Sequence, residues 1–260
     1  MKDLFDAYTQ KFDTISLQDL NMQAALHDRE EHKYLLTPER FFELVPELAE
    51  NFRILKIGDQ KIFGYRTLYF DSDDLIGYTY HHQGRVKRRF KIRTRLYVNR
   101  DLCFFEVKLK SKRGGTIKKR IPYAIEDYGT LTDEAKEFLQ TTYEQVYGLP
   151  FPYNLVPKVE VSCSRITLVS KENSERVTID FNLSFAKEET ISSEKRFVIV
   201  ETKSLRGRGV GDLIFKKNGI RSQNCSKYCL GVNLLFNNVK YNRFKPLLKL
   251  YRSLPNQIQV

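Results

Sequence analysis

Two stretches between residues 88 and 110 carry charged and apolar side chains in strict alternation. The first reads RRFKIRTRL from Arg88 to Leu96, and the second reads FFEVKLK from Phe104 to Lys110. Successive side chains of a β-strand point to opposite faces, so each stretch predicts a strand with one ionic and one apolar face. The ionic faces carry Arg89, Lys91, Arg93, Arg95, Glu106, Lys108 and Lys110. Residues 99–101 between them predict a hairpin turn.

These ionic faces are almost entirely cationic, and like charges that face each other on paired strands repel. An ordinary half-buried sheet would turn such a face to water. A polyanionic ligand lying across the strands would instead resolve the repulsion, because phosphates neutralise and bridge cations. Lys118 and Arg120 repeat the pattern on a third predicted strand.

The composition limits the class of protein. With 260 residues and 41% hydrophobic content, the chain can bury a large core, and we expect a single domain over 1–260 with a helical segment, 1–28, packed on it. There is no apolar run of about 18–20 residues and no signal-peptide pattern. The four cysteines lack metal-site spacing, which predicts reduced thiols in a cytoplasmic protein. The net charge of +12 predicts an anionic partner: nucleic acid, a phosphorylated small molecule, polyphosphate or a membrane surface.

Helical and strand signals alternate along the rest of the chain, which predicts an α+β fold. Thr37 and Thr132 are candidate N-caps for helices over 38–50 and 132–147, and two further helices are predicted over 226–236 and 242–254. Strands are predicted over 158–165, 166–169, 176–181 and 196–203, with a glycine-rich loop at 206–212. A sheet of this kind could curl its charged face inward as a barrel or leave it on one side of a sandwich.

A series of short motifs occurs in a fixed order along the chain. It comprises Glu31-x-Lys33-Tyr34, Tyr65-Arg66-Thr67-x-Tyr69-Phe70-Asp71, Lys91-x-Arg93-x-Arg95, Glu106-x-Lys108, Lys118-Lys119-Arg120, Arg176-x-Thr178-x-Asp180, Glu201-x-Lys203 and Ser226-Lys227-Tyr228. From Arg29 onward the chain resembles the catalytic domain of the vacuolar transporter chaperone complex and its bacterial polyphosphate-polymerase-like relatives. These belong to the triphosphate tunnel metalloenzymes.

This resemblance implies a closed antiparallel barrel of eight strands, a tunnel with a charged lumen and helices packed outside. It implies a phosphotransferase that moves the terminal phosphate of ATP, or of another nucleoside triphosphate, onto inorganic polyphosphate with Mn²⁺ or Mg²⁺. A membrane-protein partner is expected by family analogy alone. Nucleic acid is not favoured, because the aromatic residues mostly fall on the face opposite the cations.

The resemblance also assigns roles to individual residues. The phosphate contacts would be Lys33, Arg93, Arg95, Lys108, Lys118, Arg165 and Arg176, with Lys203 and Lys227 on the product chain or incoming phosphate. Arg89, Lys91 and Arg120 are assigned to cofactor binding. Glu201 is the expected metal ligand, with Glu31 and Glu106 as further candidates.

Two positions depart from the family pattern. Hydrolytic members carry Glu-x-Glu-x-Lys on the first strand, where this chain has Arg29, Glu31 and Lys33; the lost carboxylate favours transfer over hydrolysis. Strict alternation also groups Arg165 with the apolar face of Val161 and Cys163, so the strand must end or bulge before Arg165, or that assignment is wrong.

Several residues allow a second interpretation. Glu106 could hold Lys108 in place instead of binding metal, and Asp180 could orient an arginine. Tyr65, Tyr69 and Phe70 are expected in the core. His81 and His82 are expected to be structural.

Three functions therefore remain open. They are a polyphosphate polymerase, a triphosphatase or polyphosphatase that uses water as acceptor, and a non-catalytic binder of polyphosphate, nucleotide or RNA.

Overall fold

The computed structural model describes residues 2–23, 29–84, 88–111, 115–173, 175–194 and 196–253. Its helices are α1 (Lys2–Thr9), α2 (Leu17–Gln23), α3 (Pro38–Asn51), α4 (Ile76–Gln83), α5 (Asp133–Tyr147), α6 (Val210–Lys217), α7 (Lys227–Leu235) and α8 (Lys245–Ser253), with 3-10 turns η1 (Val98–Arg100) and η2 (Asn242–Phe244). Its strands are β1 (Thr14–Ile15), β2 (Arg29–Leu36), β3 (Phe52–Leu55), β4 (Phe63–Asp71), β5 (Phe90–Tyr97), β6 (Leu102–Lys110), β7 (Thr116–Tyr123), β8 (Val156–Ser170), β9 (Arg176–Lys187), β10 (Thr190–Glu194) and β11 (Val198–Leu205). Within these ranges no helix is both long and apolar enough to span a membrane.

Capping residues set the ends of the long helices, as predicted. The Thr37 side chain caps α3, where Pro38 occupies the first turn without needing a backbone N–H. Thr132 caps α5 in the same way, and Gly148 ends it in the left-handed region with φ of 72°. Ser226 caps α7.

Some predicted boundaries were wrong. The strands expected over 158–165 and 166–169 are one continuous strand, β8, while β10 was not expected. The N-terminal helical segment expected over 1–28 is present as two helices, α1 and α2; between them lies β1, which pairs in parallel with β3, and residues 24–28 lie outside the described part of the chain.

Eight strands form one antiparallel path in the order β2-β11-β9-β8-β4-β5-β6-β7. Strands β1, β3 and β10 attach beside this path. The predicted α+β class and the antiparallel eight-stranded path are therefore present.

The sheet is strongly curved. Six steps separate β2 from β6, which would place them about 29 Å apart in a flat sheet. Yet Lys108 Nζ on β6 lies 3.9 Å from Glu31 Oε2 on β2. Only a sheet that curls back on itself can bring these two side chains together.

The curl stops short of a closed barrel, which corrects the predicted closed tunnel. Among the described residues no hydrogen-bonded ladder joins β2 to β7. Strand β7 has the character of an edge, because Pro122 lacks a backbone N–H and most of the strand is exposed. The fold is an open half-barrel.

Helices α3, α5 and α6 cover the outer face of this half-barrel. Phe105 and Val107 of β6 pack under Leu139 and Tyr143 of α5. Helices α3 and α6 cover β2, β9 and β11 through a second apolar cluster. Apolar burial of this kind is the main stabilising contribution of each layer.

Helices α7 and α8 lie on the inner face, at one end of it, which corrects the expectation that the helices pack outside the barrel. Tyr228, Cys229 and Leu230 of α7 pack against Val159 and Val161 of β8. This apolar plug fills one end of the half-barrel, and the polar side chains of the inner face lie next to it.

Candidate functional site

Side chains from seven strands converge on one cavity of about 310 Å³ inside the half-barrel. Among the described residues, eleven cations line it: Lys33, Arg89, Lys91, Arg93, Arg95, Lys108, Lys110, Lys118, Arg165, Lys203 and Lys227. Two carboxylates, Glu31 and Glu201, also line it. Such an excess of positive charge in a confined space attracts anions.

Alternation along β5 explains how the cations reach this cavity. Lys91, Arg93 and Arg95 point inward, while Phe90 and Ile92, which alternate with them, are buried in the outer apolar cluster. The apolar face therefore anchors the strand and leaves the cations on the opposite side.

Glu31 and Glu201 lie next to each other on β2 and β11 and share two lysines. Lys33 Nζ lies 3.2 Å from Glu31 and 3.1 Å from Glu201. Lys203 Nζ lies 3.7 Å from Glu31 and 2.7 Å from Glu201. Burial opposes ionisation of Glu201, but Lys203 and Lys33 outweigh it and hold the pKa of this carboxyl well below its ordinary value.

A buried hydrogen-bond network on the outer face of the sheet holds β2 and β11 in place. Asp212 at the start of α6 accepts hydrogen bonds from Tyr34 at 2.8 Å, Thr202 at 2.5 Å and Ser204 at 2.8 Å. Since Tyr34 belongs to β2 and Thr202 and Ser204 to β11, the network holds the register that brings Glu31 and Glu201 together.

Glu106 does not line the cavity, although it was a candidate metal ligand. Its side chain is 1% exposed, and Arg93 and Lys118 reach its carboxylate at 2.5 Å each. Burial raises the pKa of Glu106, but Arg93, Arg95 and Lys118 lower it further, so the carboxylate stays charged. It holds Arg93 and Lys118, instead of the Lys108 expected from sequence.

On the opposite wall of the cavity, Asp180 holds two cations as Glu106 does. Arg165 donates to its two oxygens at 2.5 and 2.8 Å, and Lys227 of α7 donates to it as well. Asp180 is 1% exposed, so this carboxylate is a buried counter-ion that orients two of the cavity's cations.

The position of Arg165 resolves the conflict in its sequence pattern. Strand β8 does not end there, and its pairing with β4 is continuous from Val159 to Arg165. The bulge lies in β9, where Asn182 has φ of 49° and the β8–β9 register shifts. Arg165 and Cys163 share the inner face, whose apolar end is the α7 plug.

Burial lowers the pKa of two cavity lysines to about 8. For Lys108, the charges of Lys91 and Arg93 add to the effect of burial and Glu31 opposes it. For Lys118, Arg93 and Arg95 add to burial and Glu106 opposes it. These lysines therefore lose their charge only slightly above neutral pH.

Besides Glu106, two predicted site residues do not reach the cavity in the described part of the chain. Arg120 places its guanidinium 4.3 Å from the ring centroid of Phe104. Arg176 pairs across the sheet with Lys203.

Sequence patterns missed other lining residues. Tyr69 and His81, expected in structural roles, both line the cavity. Burial and the charges of Lys91 and Arg89 hold the pKa of His81 well below its ordinary value, so its imidazole is neutral. Because α4 carries His81 into the cavity from outside the sheet, strand alternation could not have found it.

The comparison with protein families identifies the family of the domain that contains this cavity. The VTC domain model matches residues 28–236, which contain every residue of the cavity except Phe244. The chain belongs to the VTC domain family. The family expected from the ordered motifs is thereby confirmed.

Two solved structures that superimpose on this VTC domain are distant from it in sequence. A candidate adenylate cyclase from Bacillus halodurans superimposes with a TM-score of 0.50 at 16% identity, over 80% of this chain and 99% of that one. A candidate adenylyl cyclase from Hippeastrum with dominant triphosphatase activity superimposes with a TM-score of 0.47 at 13% identity, over 80% of this chain and 97% of that one. No curated protein matches the sequence significantly. The first of these likenesses supports the fold.

Proposed function

We propose that this VTC domain is a metal-dependent polyphosphate polymerase that transfers the terminal phosphate of ATP onto a polyphosphate chain. The observation that carries the proposal is the convergence of eleven cations and two carboxylates on one cavity. Phosphoryl transfer depends mainly on positioning and on neutralising the charge of the transferring oxygens. Arginine grips phosphate bidentately and lysine supplies point charges, so this cavity offers both.

In the proposed reaction, an oxygen of the chain's terminal phosphate bonds to the γ-phosphorus of ATP. The bond between that phosphorus and the β–γ bridging oxygen breaks, and ADP leaves with the electron pair. Arg93, Arg95 and Lys118 would contact the phosphates from one wall, and Arg165 and Lys227 from the other. Glu106 and Asp180 keep both sets oriented.

Glu31 and Glu201 fit a divalent cation. Among the described residues no cluster of three or more His, Cys, Asp or Glu side chains exists. Mg²⁺ does not need one, because it binds through one or two carboxylates together with substrate phosphates. Mn²⁺ accepts the same oxygen ligands. When bound, such a cation would neutralise charge on the phosphate oxygens.

Incubation with ATP and Mn²⁺ separates the three candidate functions. Polyphosphate that migrates as a ladder on a gel is the expected result. Release of inorganic phosphate without polymer would identify a triphosphatase. ATP binding without turnover would identify a binding protein.

Removal of one inner lysine should weaken triphosphate binding far more than removal of its outer neighbour. Lys118 lines the cavity, while Lys119 is exposed and bonds to Gln145 on α5. We expect Lys118→Ala to weaken tripolyphosphate binding about 10-fold and Lys119→Ala less than about 2-fold, because hydrogen bonds to charged groups contribute roughly 1.5–3 kcal/mol. Calorimetric titration measures both variants, and equal losses would contradict a cavity site.

Triphosphate affinity should also fall as the pH rises from 7 to 9. Lys108 and Lys118, with pKa values lowered to about 8, are charged at pH 7 and largely neutral at pH 9. Calorimetry at constant ionic strength should record the decrease. Lys118→Arg keeps its charge and should flatten the profile relative to wild type, a comparison that cancels titration of the ligand itself. Identical profiles would contradict this assignment.

A further inference from the structure

Tyr69 lies on β4 with its ring in the core and its hydroxyl at the cavity. The residue is 5% exposed, and its ring stacks on Tyr228 of α7 with centroids 5.2 Å apart. Val159 of β8 lies opposite it in the sheet. The ring is therefore fixed by packing, and the hydroxyl is the only polar atom that it brings to the cavity wall.

The four charged side chains that act most strongly on this hydroxyl are all cations. Arg93 Nη1 donates to it at 3.3 Å. Arg95 and Lys91 on β5, and Lys227 on α7, are the other charged neighbours. None of these side chains can accept a hydrogen bond.

The hydrogen bond that the structure shows at this hydroxyl is the one received from Arg93, and among the described residues none is seen accepting the hydroxyl's own hydrogen. A phenolic O–H that is held by packing normally finds a partner. Here the cations around it would also hold an anion within reach. The acceptor that fits this position is an anionic oxygen of the ligand.

We propose that the Tyr69 hydroxyl donates a hydrogen bond to a phosphoryl oxygen of the bound triphosphate or polyphosphate. The inference rests on the proposed function, since it assigns a further residue to the same anion site. Arg93 positions the hydroxyl by donating to its oxygen, and the phosphate accepts from the other side.

The electrostatics of the site supports this role. Burial alone would raise the pKa of Tyr69, but Arg93, Arg95, Lys227 and Lys91 lower it below the ordinary value. A more acidic phenol is a stronger hydrogen-bond donor to an anion.

Two neighbouring tyrosines lack these features. The Tyr228 hydroxyl already donates to the buried carboxylate of Asp71. Tyr65 lies on the same face of β4 but does not line the cavity, and burial raises its pKa. Tyr65 is therefore a matched control for Tyr69.

Tyr69→Phe keeps the ring and removes only the hydroxyl. We expect it to weaken tripolyphosphate binding about 10- to 100-fold in metal-free calorimetry, as for other hydrogen bonds to charged groups. Tyr65→Phe should change affinity less than about 3-fold. Thermal unfolding of both variants should stay close to wild type. Equal affinity of wild type and Tyr69→Phe would overturn the inference alone, while a wild type that binds no tripolyphosphate overturns the proposed function with it.

A pH titration followed by the absorbance of ionised tyrosine gives a second measurement. Tripolyphosphate should not affect this titration if Tyr69 has only a structural role. In wild type, one phenol should ionise at lower pH than the rest, and tripolyphosphate should shift this step to higher pH. The step should be absent from Tyr69→Phe and retained in Tyr65→Phe. A wild-type titration that tripolyphosphate leaves unchanged would overturn the inference, whatever the stability of the variants.

Discussion

Replacing Glu201 with glutamine should lower metal-dependent ATP turnover about 100-fold or more, the range found when a single group that stabilises transition-state charge is removed. Glutamine keeps the size of the side chain but not its charge, so the wall formed by β2 and β11 loses half of its carboxylates. Triphosphate binding in the absence of metal should stay unchanged or tighten, because Lys33 and Lys203 are released from their partner. Initial rates at varied Mn²⁺ concentration, together with metal-free calorimetry, measure the two effects separately.

Glu30→Gln is the matched control for this variant. Glu30 precedes Glu31 on β2 and is exposed on the other face of the strand. It should retain wild-type turnover. Full turnover in Glu201→Gln, with the same dependence on Mn²⁺, would show that Glu201 binds no catalytic metal.

Replacing Asp180 with asparagine should lower the free energy of unfolding by about 3–5 kcal/mol. The change leaves Arg165 and Lys227, whose side chains are only 15% and 16% exposed, without their carboxylate, and uncompensated charges that are largely removed from water carry penalties of this size. Because Lys227 belongs to α7, docking of that helix should weaken as well. Chemical denaturation monitored by circular dichroism measures the loss.

The pair of Arg66 and Glu160 is the control for this variant. Arg66 also donates two hydrogen bonds to its carboxylate partner, but on the outer face, where 48% of its side chain is exposed. Glu160→Gln should cost less than about 1 kcal/mol. Similar losses in the two variants would mean that Asp180 is not a buried counter-ion.

Tripolyphosphate should rescue the Asp180→Asn variant. A phosphate between Arg165 and Lys227 can take the place of the lost carboxylate, so the ligand should raise the unfolding temperature more in the variant than in wild type. An equal rise in both proteins would argue that the ligand does not reach this wall.

Alternation along the strands was sufficient to predict the cationic face. Lys91, Arg93 and Arg95 had to share one side of β5, and their apolar neighbours had to share the other. The ordered motifs added the family, which the match over residues 28–236 confirmed. Local patterns of this kind survive folding because they follow from backbone geometry alone.

The rest of the candidate site could not be predicted, because it depends on contacts between residues that are distant in sequence. Alternation shows which face a side chain lies on but not how far the cavity extends along the strands, so it could not separate Arg165, inside the cavity, from Arg176, outside it. It also could not tell that Glu106 is enclosed by Arg93 and Lys118. Tyr69 was expected in the core, and its ring does lie there, but the position of its hydroxyl depends on how far the sheet curls.

Helix α7 has a consequence for how the protein is made. It supplies both the apolar plug and Lys227, the second partner of Asp180. Since translation proceeds from the N-terminus, β5 through β9 leave the ribosome before α7 exists. During that interval Asp180 lacks one partner, and α7 does not yet cover Val159 and Val161. The nascent chain therefore exposes an apolar surface beside the cations of the inner face. We expect chaperones or free phosphate to protect this exposed inner face until α7 and α8 are synthesised.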